Sequence, residues 1–246
     1  MSRTALIVGG SGGIGSAVCR ELAKSGINIV CGFSKSEQDA ELVVKQIIDS
    51  GHQAMSMKID LGNQDSDVLD RTCEDIFKRF GSLDIVVNCA AINQESSAPG
   101  MDDECWQKVI DVNLSGAFRL TRASVKYMMM NRWGRIIHMS SISARFGGRG
   151  QINYASSKAG LEAMIRVFAL ELGRKGITVN GVAPGVIMTK MSERIIDEHK
   201  EKLLDSISAK RFGTPEDVAA TTAFLASESA SYINGQIIRV DGGMGL

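Results

Sequence analysis

Short apolar runs alternate with longer amphipathic stretches along the whole chain of 246 residues. Several of the runs are β-branched and apolar at successive positions, as expected of strands buried on both faces of a parallel sheet. They predict strands at residues 5–8, 28–31, 54–59, 84–88, 135–139, 178–182 and 237–240. Between them, the apolar spacing predicts helices at residues 14–24, 37–49, 66–80, 104–130, 154–174 and 215–226.

This alternation predicts an α/β fold: a single-domain, doubly wound, Rossmann-like sheet of seven parallel strands with helices on both faces. No proline-rich or low-complexity linker divides residues 1–246. Residues 186–212 interrupt the alternation of strands and helices, because they have helical spacing but contain no strand. An insertion after a strand's carboxyl end lies over the ligand crevice of such a sheet. We interpret it as a substrate lid, with an irregular surface helix pair as the alternative.

A glycine-rich turn, GGSGGIG at residues 9–15, stands between the first predicted strand and the first predicted helix. Glycines permit positive φ and close approach of a pyrophosphate, and a helix N-terminus offers N–H groups and partial positive charge. The Gly-Lys-Ser/Thr of a P-loop is missing. We predict a dinucleotide cradle formed by Gly9, Ser11, Gly12, Gly13, Ile14 and Gly15, and the alternative is a turn that binds nothing.

The end of the second strand indicates which nicotinamide cofactor to expect. An acid there binds the ribose 2′-hydroxyl of NAD(H) and repels the 2′-phosphate of NADP(H). The chain has GFSKS at residues 32–36, with no acid before Glu37. Ser34 and Lys35 can donate to a phosphate, so we predict NADP(H) rather than NAD(H). The alternative is that Lys35 is a solvated surface lysine.

Tyr154 and Lys158 stand four residues apart in a predicted helix, and Ser141 precedes the tyrosine by thirteen residues. Four helical steps bring the two side chains to nearly the same face. A lysine cation at roughly 5 Å, with an effective dielectric of about 20, favours the phenolate by about 3 kcal/mol, which lowers the tyrosine pKa by about two. Such a tyrosine can exchange a proton with a carbonyl oxygen held by Ser141. The alternative is a surface pair.

Composition argues against several other classes of protein. The 28 basic residues equal the 28 acidic ones, so no net charge favours nucleic acid or an anionic membrane. No apolar run reaches the ~18 residues that span a bilayer, and no signal-peptide pattern is present. The cysteines lack a C-x-x-C pair, and His52, His138 and His199 lack metal-ligand spacing. We therefore predict a cytoplasmic protein without a metal.

Further motifs follow the predicted strands in a recognisable order. Asp60 follows the third strand, Asn88 ends the fourth in the sequence NCAA, and Asn113 lies in the sequence DVNL. A Pro-Gly pair follows the sixth strand with Thr189 beyond it, and DGG lies at 241–243. Together with the glycine turn and the serine, tyrosine and lysine, these motifs resemble the short-chain dehydrogenases/reductases over essentially the whole chain.

The resemblance implies a catalytic tetrad of Asn113, Ser141, Tyr154 and Lys158. In it, Lys158 also holds the nicotinamide ribose, and Asn113 fixes a water that connects Lys158 to solvent. Gly12 replaces an arginine that often helps to bind a 2′-phosphate in this family, which weakens the case for NADP(H). The resemblance adds these cofactor-binding residues: Asp60, Leu61, Asn88, Ala90, Tyr154, Lys158, Pro184, Gly185, Ile187 and Thr189.

Within the family the likeness is greatest to 3-oxoacyl-[acyl-carrier-protein] reductases. It is carried by NRWGRII at 131–137, GITVN at 176–180 with APG at 183–185, and RFGTPEDVA at 211–219. Such reductases dock an acidic carrier protein on basic residues near the pocket, which Arg132 and Lys175 resemble by position; solvated surface charges are the alternative. The helices at 104–130 and 154–174 resemble those that form the family's homotetramer.

These features predict NADPH-dependent reduction of a 3-oxoacyl thioester, carried by an acyl carrier protein, in fatty-acid or polyketide-type synthesis. One alternative is a dehydrogenase of another alcohol or ketone, such as a sugar, a steroid or a small alcohol. A second is a non-catalytic dinucleotide-binding protein, which has no need of both Tyr154 and Lys158. The loops at 92–100 and 142–150 are predicted to line the substrate pocket with the lid.

Overall fold

The computed structural model describes residues 2–62 and 65–245, which contain a sheet of seven parallel strands. The strands are β1 (Thr4–Val8), β2 (Asn28–Phe33), β3 (Ala54–Lys58), β4 (Ile85–Asn88), β5 (Gly134–Met139), β6 (Ile177–Pro184) and β7 (Ile237–Val240). The seven predicted strands are all present, with ends within two residues of the predicted ones. The α/β fold class is confirmed.

The strands lie side by side in the order β3-β2-β1-β4-β5-β6-β7. The chain winds outward from β1 to β3 and then returns to place β4 on the other side of β1, so the winding reverses between β1 and β4. In open α/β sheets, ligands bind outside the carboxyl ends of the strands at such a reversal. Val8 and Asn88 are paired at that edge, and the functional site is expected beyond them.

Helices cover both faces of the sheet, as predicted. They are α1 (Gly13–Ala23), α2 (Glu37–Asp49), α3 (Ser66–Phe80), α4 (Asp103–Ile110), α5 (Gly116–Asn131), α6 (Ser143–Phe146), α7 (Ile152–Leu172), α8 (Glu193–Ser206) and α9 (Pro215–Ala226). One apolar cluster joins Ile7 and its neighbours to α1, α2 and α9, and another joins Leu6 to α3, α5 and α7. Strand residues thus alternate between two buried layers.

The continuous helix predicted at 104–130 is interrupted in the structure. Between α4 and α5 lies a five-residue π-helical turn, Asp111–Ser115. Such turns are rare and occur frequently at functional sites. Here the turn carries Asn113, a residue of the predicted tetrad. Periodicity alone did not reveal the turn, because the apolar spacing continues through it.

Residues 186–212 contain α8, which buries none of its side chains and has a non-helical backbone at His199. A parallel bridge between Ile187 and Gly213 closes this segment at its base. The segment follows the carboxyl end of β6, and its irregular helix fits both the substrate lid and the alternative of an irregular surface helix pair. Within the described ranges, the structure has no helix with the length and apolar character needed to cross a membrane.

The helix after this segment, α9, begins with a capping box. The Asp217 backbone N–H donates to Thr214 Oγ1 at 3.3 Å, and the Thr214 N–H donates to Asp217 Oδ2 at 2.8 Å. Arg211 donates to both oxygens of the same carboxylate, at 2.6 and 3.0 Å. The hydrogen bonds from Arg211 and Thr214 lower the pKa of Asp217 from 3.8 to about 2.

Asp217→Asn should lower the free energy of unfolding by about 1 kcal/mol at pH 7, because it weakens the cap. The folded-state pKa is depressed, so the carboxylate's contribution is present above the ordinary value of 3.8 and is lost as the pH falls through about 2. Urea unfolding of both proteins should therefore show a difference that shrinks below the ordinary pKa. A difference that stays constant across this range contradicts the assignment.

Candidate active site

A cavity of about 1320 Å³ lies at the carboxyl edge of the sheet, where the winding reverses. Its wall brings together most of the predicted site residues, from the glycine turn to α7 and the loop after β6. The predicted residues on the wall are Gly9, Ser11, Gly12, Gly13, Ile14, Gly15, Ser34, Lys35, Asp60, Leu61, Ala90, Ser141, Tyr154, Lys158, Pro184, Gly185, Ile187 and Thr189. Asn88 and Asn113 are not on it.

The glycine turn has the geometry of a phosphate cradle. Gly9 has a φ of +77°, and a Cβ there would lie 2.8 Å from the backbone nitrogen of Ala90. A Cβ at Gly15 would lie 2.1 Å from the Gly9 carbonyl oxygen. The N-cap of α1 is Gly12, which has no side chain to cap the helix, and the first turn contains no acid. The first N–H groups and the helix dipole are thus left for an anion, which fits a dinucleotide phosphate.

Beyond β2, the cavity wall carries charges of both signs. Ser34 and Lys35 are there as predicted, and Arg20 of α1 and Asp39 of α2 join them. Arg20 donates hydrogen bonds of 3.4 Å to Gln46 and Ser16, which are long. Two cations and one acid therefore surround this end of the cavity.

The loop after β3 is shaped by its own hydrogen bonds. The Gly62 N–H donates to Asp60 Oδ1 at 2.9 Å, which closes a tight turn. Arg119 Nη2 donates to the Leu61 carbonyl at 2.9 Å. A Cβ at Gly116 would lie 2.7 Å from the same carbonyl oxygen, so the glycine allows the loop to rest on the start of α5. The turn thereby holds Asp60 and Leu61 on the cavity wall.

The loop after β4 is held from behind the cavity by Asn88. This side chain is 2% exposed, and its Oδ1 accepts a hydrogen bond from the Ala90 N–H at 3.2 Å. Cys89 and Ala90 form the wall in its place. The Asn88 side chain therefore shapes the loop from behind the wall, and its part in cofactor binding stays a prediction.

Ser141 and Tyr154 face each other across the cavity wall. Ser141 follows β5, Tyr154 lies in the first turn of α7, and both line the cavity wall. Burial raises the pKa of Tyr154 above its ordinary value of 10, and the neighbouring Ser141 hydroxyl opposes this rise. The phenol is therefore protonated at neutral pH, and the predicted lowering of its pKa by Lys158 is not found.

Lys158 is a fully buried lysine, 1% exposed. Its Nζ donates to the Met139 carbonyl at 2.7 Å and lies 5.6 Å from the centre of the Tyr154 ring. Burial lowers the pKa of Lys158 from 10.5 to about 8. The ammonium is anchored to the end of β5 rather than to the phenol. Packing of α7 on β5 decides this partner, which the four-residue spacing could not show.

Asn113 is fully buried in the π-helical turn. Its Oδ1 accepts from the Ile92 N–H at 2.9 Å, and its Nδ2 donates to the Ile92 carbonyl at 2.9 Å and to Ser157 Oγ at 3.1 Å. Both amide hydrogens are thus used within the protein. The residue joins the loop after β4 to α7, and its role in fixing a water stays a prediction.

The loop after β6 closes the cavity against the glycine turn. The Pro184 carbonyl accepts from the Ile142 N–H at 3.2 Å, and the Gly185 N–H donates to Val240 at 3.0 Å. A Cβ at Gly13 would lie 2.8 Å from the methyl carbon of Thr189. The predicted residues after β6 therefore lie beside the phosphate cradle.

Arg132 and Lys175 lie far from this cavity within the chain. Both are exposed and stand just before β5 and β6, whereas the cavity lies beyond the carboxyl ends of these strands. Arg132 Nη2 donates to the Arg174 carbonyl at 2.9 Å. The prediction that these two residues lie near the pocket is wrong for a single chain, because parallel strands place their amino ends at the opposite edge.

Sequence reasoning missed part of the cavity wall. The missed polar residues include Arg20, Asp39, Gln46, Glu104, Gln107, Lys108 and Asp111. Four of them have the i, i+3, i+4, i+7 spacing of one helix face at 104–111, a signal that was available. The side chains on α1 and α2 gave no such signal, because their orientation depends on helix packing.

Asn113→Ala should lower the free energy of unfolding by about 2–4 kcal/mol, because it removes three hydrogen bonds from a fully buried position. Chemical denaturation measures the change, with Asn131→Ala at the exposed end of α5 as the control. A variant at 113 as stable as this control shows that Asn113 does not hold the loop after β4.

Comparison with known proteins identifies the family. Residues 9–245 match a family model described as enoyl-(acyl carrier protein) reductase. The 3-oxoacyl-[acyl-carrier-protein] reductase FabG of Staphylococcus aureus is 39% identical over 244 residues, which cover 99% of this chain and 98% of the relative. FabG of Rickettsia felis is 41% identical over 243 residues, or 98% and 96% of the two chains. The crystal structure of gox2181 has a TM-score of 0.94 and 32% identity, over 98% of this chain and 95% of that one.

The similarity extends over nearly the full length, and the geometry agrees with it. A dinucleotide cradle, a serine hydroxyl, a phenol and a buried lysine share one cavity at the carboxyl edge of the sheet. The family implies a nicotinamide dinucleotide as cofactor. The chain belongs to the short-chain dehydrogenase/reductase family and is an oxidoreductase of the type that acts on CH–OH groups.

Proposed function

We propose that this protein reduces a 3-oxoacyl thioester, carried by an acyl carrier protein, to the 3-hydroxyacyl thioester with NADPH, in fatty-acid or polyketide-type synthesis. The observation that carries the proposal is that Ser141, Tyr154 and Lys158 lie together on the cavity wall that they share with the glycine turn. The relatives named above are 3-oxoacyl-[acyl-carrier-protein] reductases, which supports the choice of substrate.

The residues divide the reaction between them. The nicotinamide, when bound, supplies the hydride. Ser141 holds the substrate oxygen by a hydrogen bond, and Tyr154 donates its proton to that oxygen. The raised pKa of Tyr154 keeps the phenol protonated, which is the state that reduction needs. Lys158 holds the nicotinamide ribose, and Asn113 holds Ile92 and Ser157 in place on either side of the site.

The preference for NADP(H) is supported by the charges beyond β2. Lys35 and Arg20 can pair with a 2′-phosphate, and Ser34 can donate a hydrogen bond to it. Arg20 supplies a cation that Gly12, in the family's usual arginine position, does not. Asp39 opposes this preference, since an acid favours the 2′-hydroxyl of NAD(H). The two cations attract a 2′-phosphate more strongly than the one acid repels it, so we infer NADP(H).

Residues 186–212 act as a substrate lid, because Ile187, Thr189 and Met191 all line the cavity. The outer faces of α5 and α7 join copies of the chain in a homotetramer, since Phe118 is 42% and Leu170 82% exposed, and single chains rarely expose large apolar patches.

The protein works in the cytoplasm, where its free thiols stay reduced.

A spectrophotometric assay of nicotinamide oxidation tests the proposed reaction. With a 3-oxoacyl thioester as substrate, NADPH should be oxidised faster than NADH. With NADPH as cofactor, the 3-oxoacyl thioester should be reduced faster than a simple ketone, a sugar, a steroid or an enoyl thioester. Tyr154→Phe should lower kcat/KM by about 10²–10⁴-fold, because it removes the proton donor. Tyr232→Phe is the matched control, since Tyr232 is fully exposed.

Each outcome of this assay decides one part of the proposal. A Tyr154→Phe variant with more than about a tenth of the wild-type kcat/KM contradicts the assignment of the acid. A preference for NADH overturns the proposal that the cofactor is NADPH. Activity confined to sugars or steroids moves the enzyme to another substrate class, and preference for the enoyl thioester moves it to the activity for which the family model is named. Cofactor binding without any turnover supports the non-catalytic alternative.

The carrier-protein site is proposed at Arg132 and Lys175, as a basic patch for an acidic partner. Because this patch lies at the amino edge of the sheet, the acyl arm must pass around the sheet or enter the cavity of a neighbouring copy. Arg132→Glu with Lys175→Glu should raise KM for a carrier-linked substrate by about tenfold and leave a small-thioester substrate unaffected.

The control for this prediction is Lys24→Glu with Lys78→Glu, which changes the net charge equally at two surface ion pairs. Such pairs contribute little to stability. If both double variants raise KM for the carrier-linked substrate equally, the rise is caused by the change in overall charge and not by loss of a docking site. No effect of either double variant excludes Arg132 and Lys175 as the docking site.

A further inference from the structure

An ion pair joins α8 to the loop after β4. Arg194 Nη2 lies 2.8 Å from Glu95 Oε2. With Asn93 and Met191, these residues line a second cavity of about 280 Å³. Met191 also lines the large cavity, so the two spaces adjoin. No side chain of α8 is fully buried, and its apolar Ile196, Leu203 and Leu204 are only half-buried, so polar contacts contribute to fixing its position.

The other oxygen of Glu95 faces the start of α7. Glu95 Oε1 accepts from Gln151 Nε2 at 3.1 Å and from Asn93 Nδ2 at 3.2 Å. Gln151 is the N-cap residue of α7, the helix that carries Tyr154. A Cβ at Gly148 would lie 2.4 Å from Gln151 Oε1. The glycine therefore leaves the space in which the Gln151 carboxamide lies.

From Gln151 the hydrogen bonds continue to the reacting groups. Gln151 Oε1 accepts from Ser143 Oγ at 3.1 Å, and the Ser143 N–H donates to Ser141 Oγ at 3.1 Å. Ser141 lines the cavity wall together with Tyr154. A continuous set of contacts thus leads from α8 to the Ser141 hydroxyl through the Glu95 carboxylate, which uses a different oxygen on each side.

We propose that Glu95 is a positioning residue that couples the placement of α8 over the cavity to the orientation of the Ser141 hydroxyl. The inference rests on the proposed function, in which Ser141 holds the substrate oxygen. Loss of the contact at Oε2 releases α8, and loss of the contact at Oε1 releases Gln151 and, through Ser143, Ser141. Closure of a lid and completion of the site are thereby linked, as in enzymes whose lids exclude water.

Kinetics of selected variants separate the two contacts. Arg194→Gln removes only the ion pair, and it should raise KM for the 3-oxoacyl thioester about twofold to fivefold with kcat unchanged. Glu95→Gln should behave in the same way, because its amide oxygen still accepts from Gln151. Glu95→Ala removes both contacts and should also lower kcat by about tenfold.

Glu21→Ala is the matched control, because Glu21 forms a surface ion pair with Lys24 at 2.6 Å and is 37% exposed, against 35% for Glu95. It should change neither KM nor kcat. The proposal is overturned if Glu95→Ala keeps the wild-type kcat, or if it matches Arg194→Gln in both constants.

Hydrogen–deuterium exchange of the protein without substrate tests the coupling apart from the reaction. Exchange across α8 should be faster in both Arg194→Gln and Glu95→Ala than in Glu21→Ala. Exchange across residues 143–151 should be faster in Glu95→Ala alone. If the wild type reduces no 3-oxoacyl thioester, the proposed function fails while this pattern still decides the coupling. Exchange in Glu95→Ala equal to that in Glu21→Ala at both segments overturns it.

Discussion

The burial of the Lys158 ammonium is the constraint on which the site depends. Removing a charged amine from water is costly unless hydrogen bonds compensate, and the Met139 carbonyl at 2.7 Å supplies one. That bond joins α7 to the end of β5. It therefore fixes the position of the helix that carries Tyr154 relative to the strand that leads into Ser141. Burial also lowers the pKa of Lys158 to about 8, the direction expected when the charged form is desolvated.

Around this anchor, polar side chains inside the protein hold the loops that form the cavity wall. Asn113 holds Ile92, Asn88 holds Ala90, and Arg119 holds Leu61. None of these three side chains needs to touch a ligand to matter. They satisfy backbone groups that sheet and helix leave without partners, which a buried loop requires. The π-helical turn is part of this arrangement, because it carries Asn113.

The two ends of the sheet serve different purposes. At the carboxyl edge, the glycine turn, the hydroxyl pair and the buried lysine converge on one cavity. At the amino edge, Arg132 and Lys175 are exposed. In the proposed function, a carrier protein docked at the amino edge and the reacting carbonyl are therefore separated by the sheet within one chain. The proposed homotetramer would give assembly a direct bearing on catalysis, since a neighbouring copy could bring the two edges together.

Local pattern in the sequence determined the seven strands, the helices on both faces and the glycine cradle, because each depends on residues close together in the chain. It also determined that Ser141, Tyr154 and Lys158 share one wall. Tertiary packing alone decided that the Lys158 ammonium bonds Met139, that Asn113 serves the loop after β4, and that Arg20 and Asp39 reach the cavity. Packing also placed Arg132 and Lys175 at the far edge and brought Glu95 between α8 and α7. These contacts depend on which side chains become buried together when helices and strands pack. The residue spacing within a single helix or strand carries no information about that.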